Sequence, residues 1–218
     1  MKLRVPLPGR ALLCALLLCA AVPPALAAPP GLTPGEDYML ISGGAPLDPQ
    51  PGKIEVVEMF NYACPACNAF NPQLAQWKKK LPADVKFVYA PLDFRPDFVP
   101  YARAYYAAEA LGLVDKTHEA VYAAVHDSHK LPGEGQPPDE AKIAAFYAGY
   151  GANAAAFQAS MDSFTVSTRV ARAKQFAMQS RVISTPSLVI DGRYLVKGKS
   201  WDDMLRIADA LIADQRKR

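Results

Sequence analysis

The stretch VVEMFNYACPACNAF, residues 56–70, decides the fold because it joins a strand pattern to a helix pattern through two cysteines. Apolar, β-prone side chains over residues 54–60 predict a buried strand. After the cysteines, apolar residues recur at helical spacing to about Leu81 and predict an amphipathic helix. Pro65 suits the first helical turn, where its missing N–H has no partner to lose. Cys64 is therefore predicted at the helix N-terminus, where free N–H groups and the helix dipole stabilise a thiolate.

The first 27 residues have the pattern of a secretory signal peptide. Three basic residues lie in the segment, and an apolar core covers residues 11–22. Two prolines and the small-residue site Ala-Leu-Ala at residues 25–27 follow it. The apolar core is too short to span a membrane. We expect cleavage before Ala28 and export of the remaining 191 of the 218 residues.

The charge of the exported chain is close to neutral. The sequence contains 24 Lys and Arg against 21 Asp and Glu, and three of the basic residues belong to the predicted signal peptide. A balanced charge gives no indication of a nucleic-acid partner.

Cys64 and Cys67 are the two cysteines that remain after cleavage. One closely spaced pair in an oxidising compartment favours a reactive site over a structural framework. An inert disulfide is the first alternative, disfavoured because the pair is strained and accessible at a helix start. A zinc site is the second, but it needs two further ligands, and His118, His126 and His129 have unsuitable spacing. We expect no metal, and we expect these histidines at the surface or in helix packing.

The pattern along the chain divides into two α/β segments around a helical block. A strand pattern over Val85–Tyr89 completes a strand–helix–strand unit, which implies parallel strands. After a proline-marked connection, residues from about Tyr101 to Arg181 show only helical patterns, separated by Gly and Pro. Strand patterns then return on both sides of Asp191-Gly192, a strong hairpin signal. We predict an α/β fold with a mixed sheet flanked by helices.

These motifs together resemble the thioredoxin fold and, within it, the DsbA family of periplasmic disulfide oxidoreductases. The resemblance is carried by Cys-Pro-Ala-Cys at residues 64–67 between strand and helix, by Ser-Thr-Pro at residues 184–186, and by the helical block. It covers nearly all of the exported chain. It implies a thioredoxin-like domain over residues 28–93 and 182–218, with an inserted helical domain at residues 94–181.

The resemblance also implies roles for individual residues. Cys64 corresponds to the exposed nucleophile and Cys67 to its buried partner. Pro186 corresponds to the cis-proline that faces the disulfide. A cis bond there turns the backbone of Thr185 toward Cys64, where it can pair with an incoming peptide as a short strand. Pro65 and Ala66, between the cysteines, complete the redox motif.

Glu58 matches the buried acid of the family. Burial is expected to raise the pKa of this carboxyl. Two interpretations stay open, a proton acceptor for Cys67 and a structural carboxylate satisfied by Tyr89 or water. The chain departs from the family in two places: Ala66 stands where well-studied members carry His, and Tyr89 stands where a lysine commonly pairs with the acid.

The predicted function is disulfide donation to exported proteins through the cysteine pair, with no cofactor. The implied partners are unfolded exported proteins with cysteine thiols and a quinone-linked, DsbB-like membrane oxidase. We expect a periplasmic monomer. The first alternative is an isomerase or reductase of the same fold. The family's isomerases carry an N-terminal dimerisation domain, and residues 28–50 are too short to form one. The second alternative is a non-catalytic peptide-binding chaperone.

Overall fold

The computed structural model describes residues 28–217, and its centre is a five-stranded mixed sheet. The expected signal peptide lies outside the described residues. The strands, in chain order, are β1 (Tyr38–Leu40), β2 (Ile54–Phe60), β3 (Val85–Pro91), β4 (Ser187–Ile190) and β5 (Tyr194–Val196). Their order in the sheet is β1-β5-β4-β2-β3. β2 runs parallel to β3 and antiparallel to β4, so the predicted mixed sheet is confirmed.

The strand before the cysteines is central and covered on both faces. Every residue of β2 from Glu55 to Phe60 is buried, as expected for a largely apolar central strand. The predicted hairpin between β4 and β5 is also confirmed. Asp191 and Gly192 have φ of 51° and 63°, the left-handed backbone that a type I′ turn requires. A Cβ on Gly192 would lie 2.1 Å from the carbonyl of Ala45, so the turn also needs glycine for close packing.

The helix that follows the cysteines is α1 (Pro65–Lys78), with Cys64 at its N-cap and Pro65 in its first turn, as predicted. It ends at Lys78, three residues before the predicted end at Leu81. The chain there tightens into i→i+3 hydrogen bonds, and Leu81 N–H donates to the Lys78 carbonyl at 3.2 Å. Pro82 follows, and a proline disfavours helical backbone in the residue before it.

Five α-helices connect β3 to β4, where the sequence predicts only helical structure. They are α2 (Val99–Ala110), α3 (Val114–Tyr122), α4 (Glu140–Ala148), α5 (Ala154–Met161) and α6 (Phe164–Gln179). A π-helical turn, Ala123–Asp127, continues α3. The last helix is α7 (Trp201–Gln215), and the hydroxyl of Ser200 accepts from the Asp203 N–H as its N-cap. No helix within residues 28–217 is long and apolar enough to cross a membrane.

Two apolar clusters cover the two faces of the sheet. The first joins strand residues such as Val56 and Ile190 to α1 and α7. The second joins Val57, Met59 and Val189 to the helices between β3 and β4. The second cluster is continuous across the sheet and those helices. The helices therefore cover one face of the sheet and share its core instead of forming a separate one. The domain boundaries at residues 94 and 181 stay a prediction.

Candidate active site

The two cysteines lie on the first turn of α1, directly beyond the buried end of β2. Cys64 has extended backbone, with φ −78° and ψ 116°, and Pro65 continues into helical backbone. Cys67 comes one turn later and is fully buried. Both side chains are free thiols. The strand therefore delivers Cys64 to the positive end of the helix dipole, as the sequence predicts.

Hydrogen bonds to the Cys64 sulfur lower its pKa to about 6. The largest contribution is the hydrogen bond from the Cys67 side chain. Burial is the second-largest effect and opposes it, and the side chain of Thr185 and the backbone N–H groups of Cys67 and Ala66 lower the pKa further. All of these bonds favour the thiolate over the thiol. At neutral pH the sulfur of Cys64 is therefore mostly an anion and a competent nucleophile.

The exposure of Cys64 differs from the prediction. Its side chain was expected to be exposed, yet only 7 % of the residue is accessible, because the turns before β4 and after β2 close around it. Cys67 is 0 % exposed, so the accessible sulfur of the pair is still that of Cys64. Burial, followed by the hydrogen bond to Cys64, raises the pKa of the Cys67 thiol.

The segment before β4 faces this site across the sheet end. The Thr185–Pro186 peptide bond is cis, as the resemblance implies, and Pro186 is buried. The Thr185 carbonyl oxygen lies 3.5 Å from the Cys64 sulfur and accepts a hydrogen bond from its thiol form. Thr185 is thus brought to Cys64 from 121 residues away in the chain.

Asn61, which sequence reasoning missed, builds the turn that leads to Cys64. It is fully buried, and its amide donates to the carbonyls of Leu92 at 2.8 Å and Phe98 at 3.0 Å. Its side-chain oxygen accepts from the Ala63 N–H at 2.9 Å, and its backbone carbonyl accepts from the Cys64 N–H at 3.1 Å. An Asn after a strand is a turn signal, but its partners lie too far along the chain to be predicted.

Known proteins share this arrangement over most of the chain. A thioredoxin family model matches residues 51–210. The thiol:disulfide interchange protein DsbA of Pseudomonas aeruginosa is 36% identical over 187 residues, which are 84% of this chain and 86% of the relative. The chain belongs to the DsbA family. The thioredoxin fold expected from the sequence is therefore confirmed.

Solved structures of DsbA proteins agree with this assignment. The oxidoreductase DsbA from Xylella fastidiosa superposes with a TM-score of 0.81 and 38% identity, covering 86% of this chain and 99% of that one. A Proteus DsbA with a non-covalently bound peptide superposes with a TM-score of 0.68 and 22% identity, covering 86% of this chain and 99% of its own. The second likeness concerns the fold alone.

Glu58 is the buried acid that the DsbA resemblance implies, and it faces Tyr89 across the β2–β3 pair. It is 1 % exposed, and burial raises the pKa of its carboxyl to about 8. The charge of Lys78 lowers this pKa, and the charge of Cys64 raises it by a smaller amount. The carboxyl is therefore largely protonated at neutral pH. It interacts electrostatically with the thiol of Cys67, which gains and loses a proton in disulfide exchange.

Lys78, at the end of α1, packs its ammonium against the aromatic side chain of Tyr89. Its ammonium donates to the Tyr89 hydroxyl at 3.1 Å and lies 4.7 Å from the centre of that ring. It also lies 5.6 Å from the ring centre of Phe87. A lysine charge thus reaches the surroundings of Glu58 from a helix, although the sheet position opposite Glu58 is a tyrosine. The two lysines that follow, residues 79 and 80, are exposed.

The histidines divide between the surface and the site. His118 is buried among aromatic rings, 4.2 Å from the Tyr89 ring centre and 5.4 Å from that of Phe60, where burial lowers its pKa to about 3. His118 and His126 both contact Tyr62. His129 hydrogen-bonds to the carbonyl four residues earlier. Within the described residues, no cluster of three or more His, Cys, Asp or Glu could hold a metal ion.

Proposed function

We propose that Cys64 and Cys67 are the redox-active pair of a thiol:disulfide oxidoreductase that donates its disulfide to other proteins. The activity class is that of the DsbA relatives, named thiol:disulfide interchange proteins. The observation that carries the assignment to these two residues is their opposite environment. The sulfur of Cys64 is accessible and stabilised as an anion, whereas that of Cys67 is buried and kept protonated.

The exchange needs two attacks and no cofactor. In the oxidised protein, a substrate thiolate attacks the Cys64 sulfur, the Cys64–Cys67 bond breaks, and Cys67 leaves and takes up a proton. A second thiolate of the substrate then attacks the substrate sulfur of this mixed disulfide. Cys64 leaves as a thiolate, the substrate keeps the new disulfide, and two electrons remain on the cysteine pair.

Glu58 is suited to handle the proton of Cys67. Its carboxyl is protonated over the range in which Cys67 leaves, and the two groups interact electrostatically in the buried region behind α1. As a general acid it protonates the departing sulfur, and as a base it accepts the proton when the pair is re-oxidised. The second interpretation from the sequence, a purely structural carboxylate, would leave exchange rates independent of this residue.

The direction of transfer follows from the thiolate of Cys64. Its stabilisation favours the reduced pair over the disulfide, which makes the disulfide a good oxidant. This favours a donor of disulfides over the alternative of a reductase. An isomerase uses the same chemistry, and the equilibrium constant of the pair against glutathione separates the directions.

The proposed partners rest on the geometry at Thr185 and on the likeness to the DsbA family. An extended peptide of an unfolded exported protein would pair with the backbone at Thr185 while its cysteine reaches Cys64. The Proteus relative with a bound peptide supports such a binding mode. The signal peptide expected over residues 1–27 supports a periplasmic location, where we propose that the protein acts as a monomer. A quinone-linked, DsbB-like membrane protein would re-oxidise the pair.

The decisive experiment is oxidation of a reduced, unfolded substrate by the oxidised protein and by Cys64→Ser. We expect the variant to lose turnover to the uncatalysed level, because no disulfide can form. Cys67→Ser, loaded at Cys64 as a mixed disulfide with glutathione, is the matched control: a substrate thiolate attacks the Cys64 sulfur, glutathione leaves as a thiolate, and a mixed disulfide with substrate is expected to accumulate. Turnover that survives in Cys64→Ser would contradict the assignment. Substrate binding with no turnover in the unmodified protein would favour the chaperone alternative.

A further inference from the structure

Tyr62, two residues before Cys64, is held at both ends by histidines of one helical segment. Its hydroxyl lies 2.9 Å from Nδ1 of His118 in α3, inside the aromatic cluster. Its backbone carbonyl oxygen lies 2.8 Å from Nε2 of His126, in the π-helical turn. A carbonyl oxygen only accepts, so Nε2 of His126 carries the proton and donates. Both contacts are made by helices that connect β3 to β4, not by the sheet.

The π-helical turn brings the two histidines to the same side. Eight residues of regular α-helix turn through about 800°, which would leave His126 about 80° away from the face of His118. The turn at Ala123–Asp127 closes with a hydrogen bond from Ser128 N–H to the Ala123 carbonyl at 2.9 Å, five residues apart. A π turn holds more residues per turn and rotates less per residue, so it returns His126 toward that face.

The carbonyl that His126 binds belongs to the Tyr62–Ala63 peptide group, which sets the direction of the backbone leading into Cys64. The Tyr62 carbonyl and the Ala63 N–H lie in one planar unit. His126 binds this unit at its oxygen, and the side-chain oxygen of Asn61 binds it at its nitrogen at 2.9 Å. The next N–H, that of Cys64, donates to the Asn61 carbonyl. If the peptide plane rotates, the backbone entering the N-cap rotates with it.

We infer that His126 is a positioning residue for the redox reaction, which orients the Cys64 sulfur toward the N–H groups of α1 by fixing the Tyr62–Ala63 peptide plane. His126 acts through the backbone and touches neither sulfur nor substrate. The inference rests on the proposed function, because it concerns how strongly the Cys64 thiolate is stabilised. The titratable groups whose charges interact with that of Cys64 include Cys67, Glu58 and Arg95. All of them stay unchanged in the variants below.

The test compares four forms of the full exported chain: the unmodified protein, His126→Leu, His126→Gln and His129→Leu. Gln places an amide N–H near the position of Nε2 and can keep the bond to the Tyr62 carbonyl. His129 belongs to the same helix end but bonds to its own segment at Val125, so it is the matched control. The readouts are the Cys64 titration, followed by thiolate absorbance, the equilibrium constant against glutathione, and the thermal midpoint.

We expect His126→Leu to raise the Cys64 pKa by about half a unit, and so to weaken oxidation of glutathione roughly threefold. His126→Gln should restore both values, and His129→Leu should leave both unchanged. If His126→Leu does not fold, His126→Asn takes its place, since Asn is polar but too short to reach the carbonyl.

Two results would overturn the inference. One is an unchanged Cys64 pKa in folded His126→Leu or His126→Asn. The other is the same shift in the Gln variant or in His129→Leu, since a general disturbance of the helix end would then be its cause. Failure of the proposed function is distinguishable, because the unmodified protein would then oxidise no dithiol and its Cys64 would titrate as an ordinary thiol.

Discussion

Cys64 and Cys67 are three residues apart on one helical turn, yet their surroundings oppose each other. Cys64 stands at the helix end, where the thiol of Cys67, the side chain of Thr185 and the N–H groups of Cys67 and Ala66 bond to its sulfur and lower its pKa to about 6. Cys67 is packed behind the helix, where burial and the nearby charges of Cys64 and Glu58 raise its pKa. The difference shows that position relative to the helix end and the core, rather than residue type, decides which sulfur reacts.

The largest consequence of this comparison is selective alkylation of the reduced protein. At pH 7 about nine-tenths of Cys64 is thiolate, against a few per cent for an unperturbed thiol. With Cys67 protonated and buried, we expect Cys64 to react on the order of 10³-fold faster, with a rate that falls as pH drops through about 6. Mass spectrometry across pH measures both rates. Cys67 modified first, or a Cys64 midpoint near ~8.5, would contradict the comparison.

The second prediction concerns stability against pH for two acids of β2. The folded-state pKa of Glu58, about 8, lies above its ordinary value of 4.5, so the native protein holds an extra proton between these pH values. The contribution of Glu58 to the free energy of unfolding is therefore fully present below pH 4.5 and is lost as pH rises toward 8. Glu58→Gln should remove this decline, a gain of up to about 3 kcal/mol at pH 7 by chemical denaturation.

Glu55→Gln is the matched control for that experiment. The two carboxylate oxygens of Glu55 accept the N–H groups of Leu47 and Asp48, each at 2.6 Å. An amide supplies one acceptor in place of two, so this variant should lose about 1–3 kcal/mol. A stabilised Glu55→Gln, or a Glu58→Gln whose stability still declines between pH 5 and 8, would count against the distinction between the two acids.

The third prediction sharpens the comparison at Cys64. Alanine at residue 66 offers its backbone N–H but no side-chain donor or charge near the sulfur. Ala66→His should lower the Cys64 pKa and raise the reduction potential together, by tens of millivolts, since ~30 mV corresponds to about 1.4 kcal/mol for two electrons. Glutathione equilibria and the Cys64 titration measure the two changes. Movement of the two quantities in opposite senses would show that residue 66 does not tune this site.

The smallest expected effect tests the charge behind Cys67. Lys78→Met removes the cation that lowers the pKa of Glu58, so this pKa should rise above about 8 by roughly half a unit. The pH-dependent loss of stability should then extend to higher pH. Lys79→Met is the control, because Lys79 is the exposed neighbour on the same helix end. An equal shift in both variants would mean that Lys78 acts only as part of the general surface charge.

Much of the fold could be predicted because its signals are local. The apolar run of β2, the cysteines with Pro65 and the helical spacing of Phe70 and Leu74 each act within a few residues. The hairpin at Asp191-Gly192 likewise depends on the backbone of two residues. Such preferences are encoded by side chains close together along the chain, so the sequence alone predicts strand, turn and helix in the right order.

The sequence also predicted which cysteine is reactive. Part of the low pKa of Cys64 follows from its own helix, through the thiol of Cys67 and the N–H groups of Cys67 and Ala66, while the contribution of Thr185 comes from a distant segment. The acid at Glu58 was expected to be buried because it shares strand parity with the apolar residues Val56 and Phe60. The limited exposure of Cys64 was not predicted, since it depends on the distant segment at Thr185.

Only the tertiary structure decided which groups surround the cysteines from other elements. Lys78 returns over Tyr89, and His118 and His126 hold Tyr62 across separations of 56 and 64 residues. These contacts depend on how the helices cross the sheet and on the direction in which the π turn points His126. Neither feature produces a periodic pattern in the sequence. The sequence determines the charge and hydrogen-bonding capacity of each side chain. Which partner it meets depends on how the helices and strands pack.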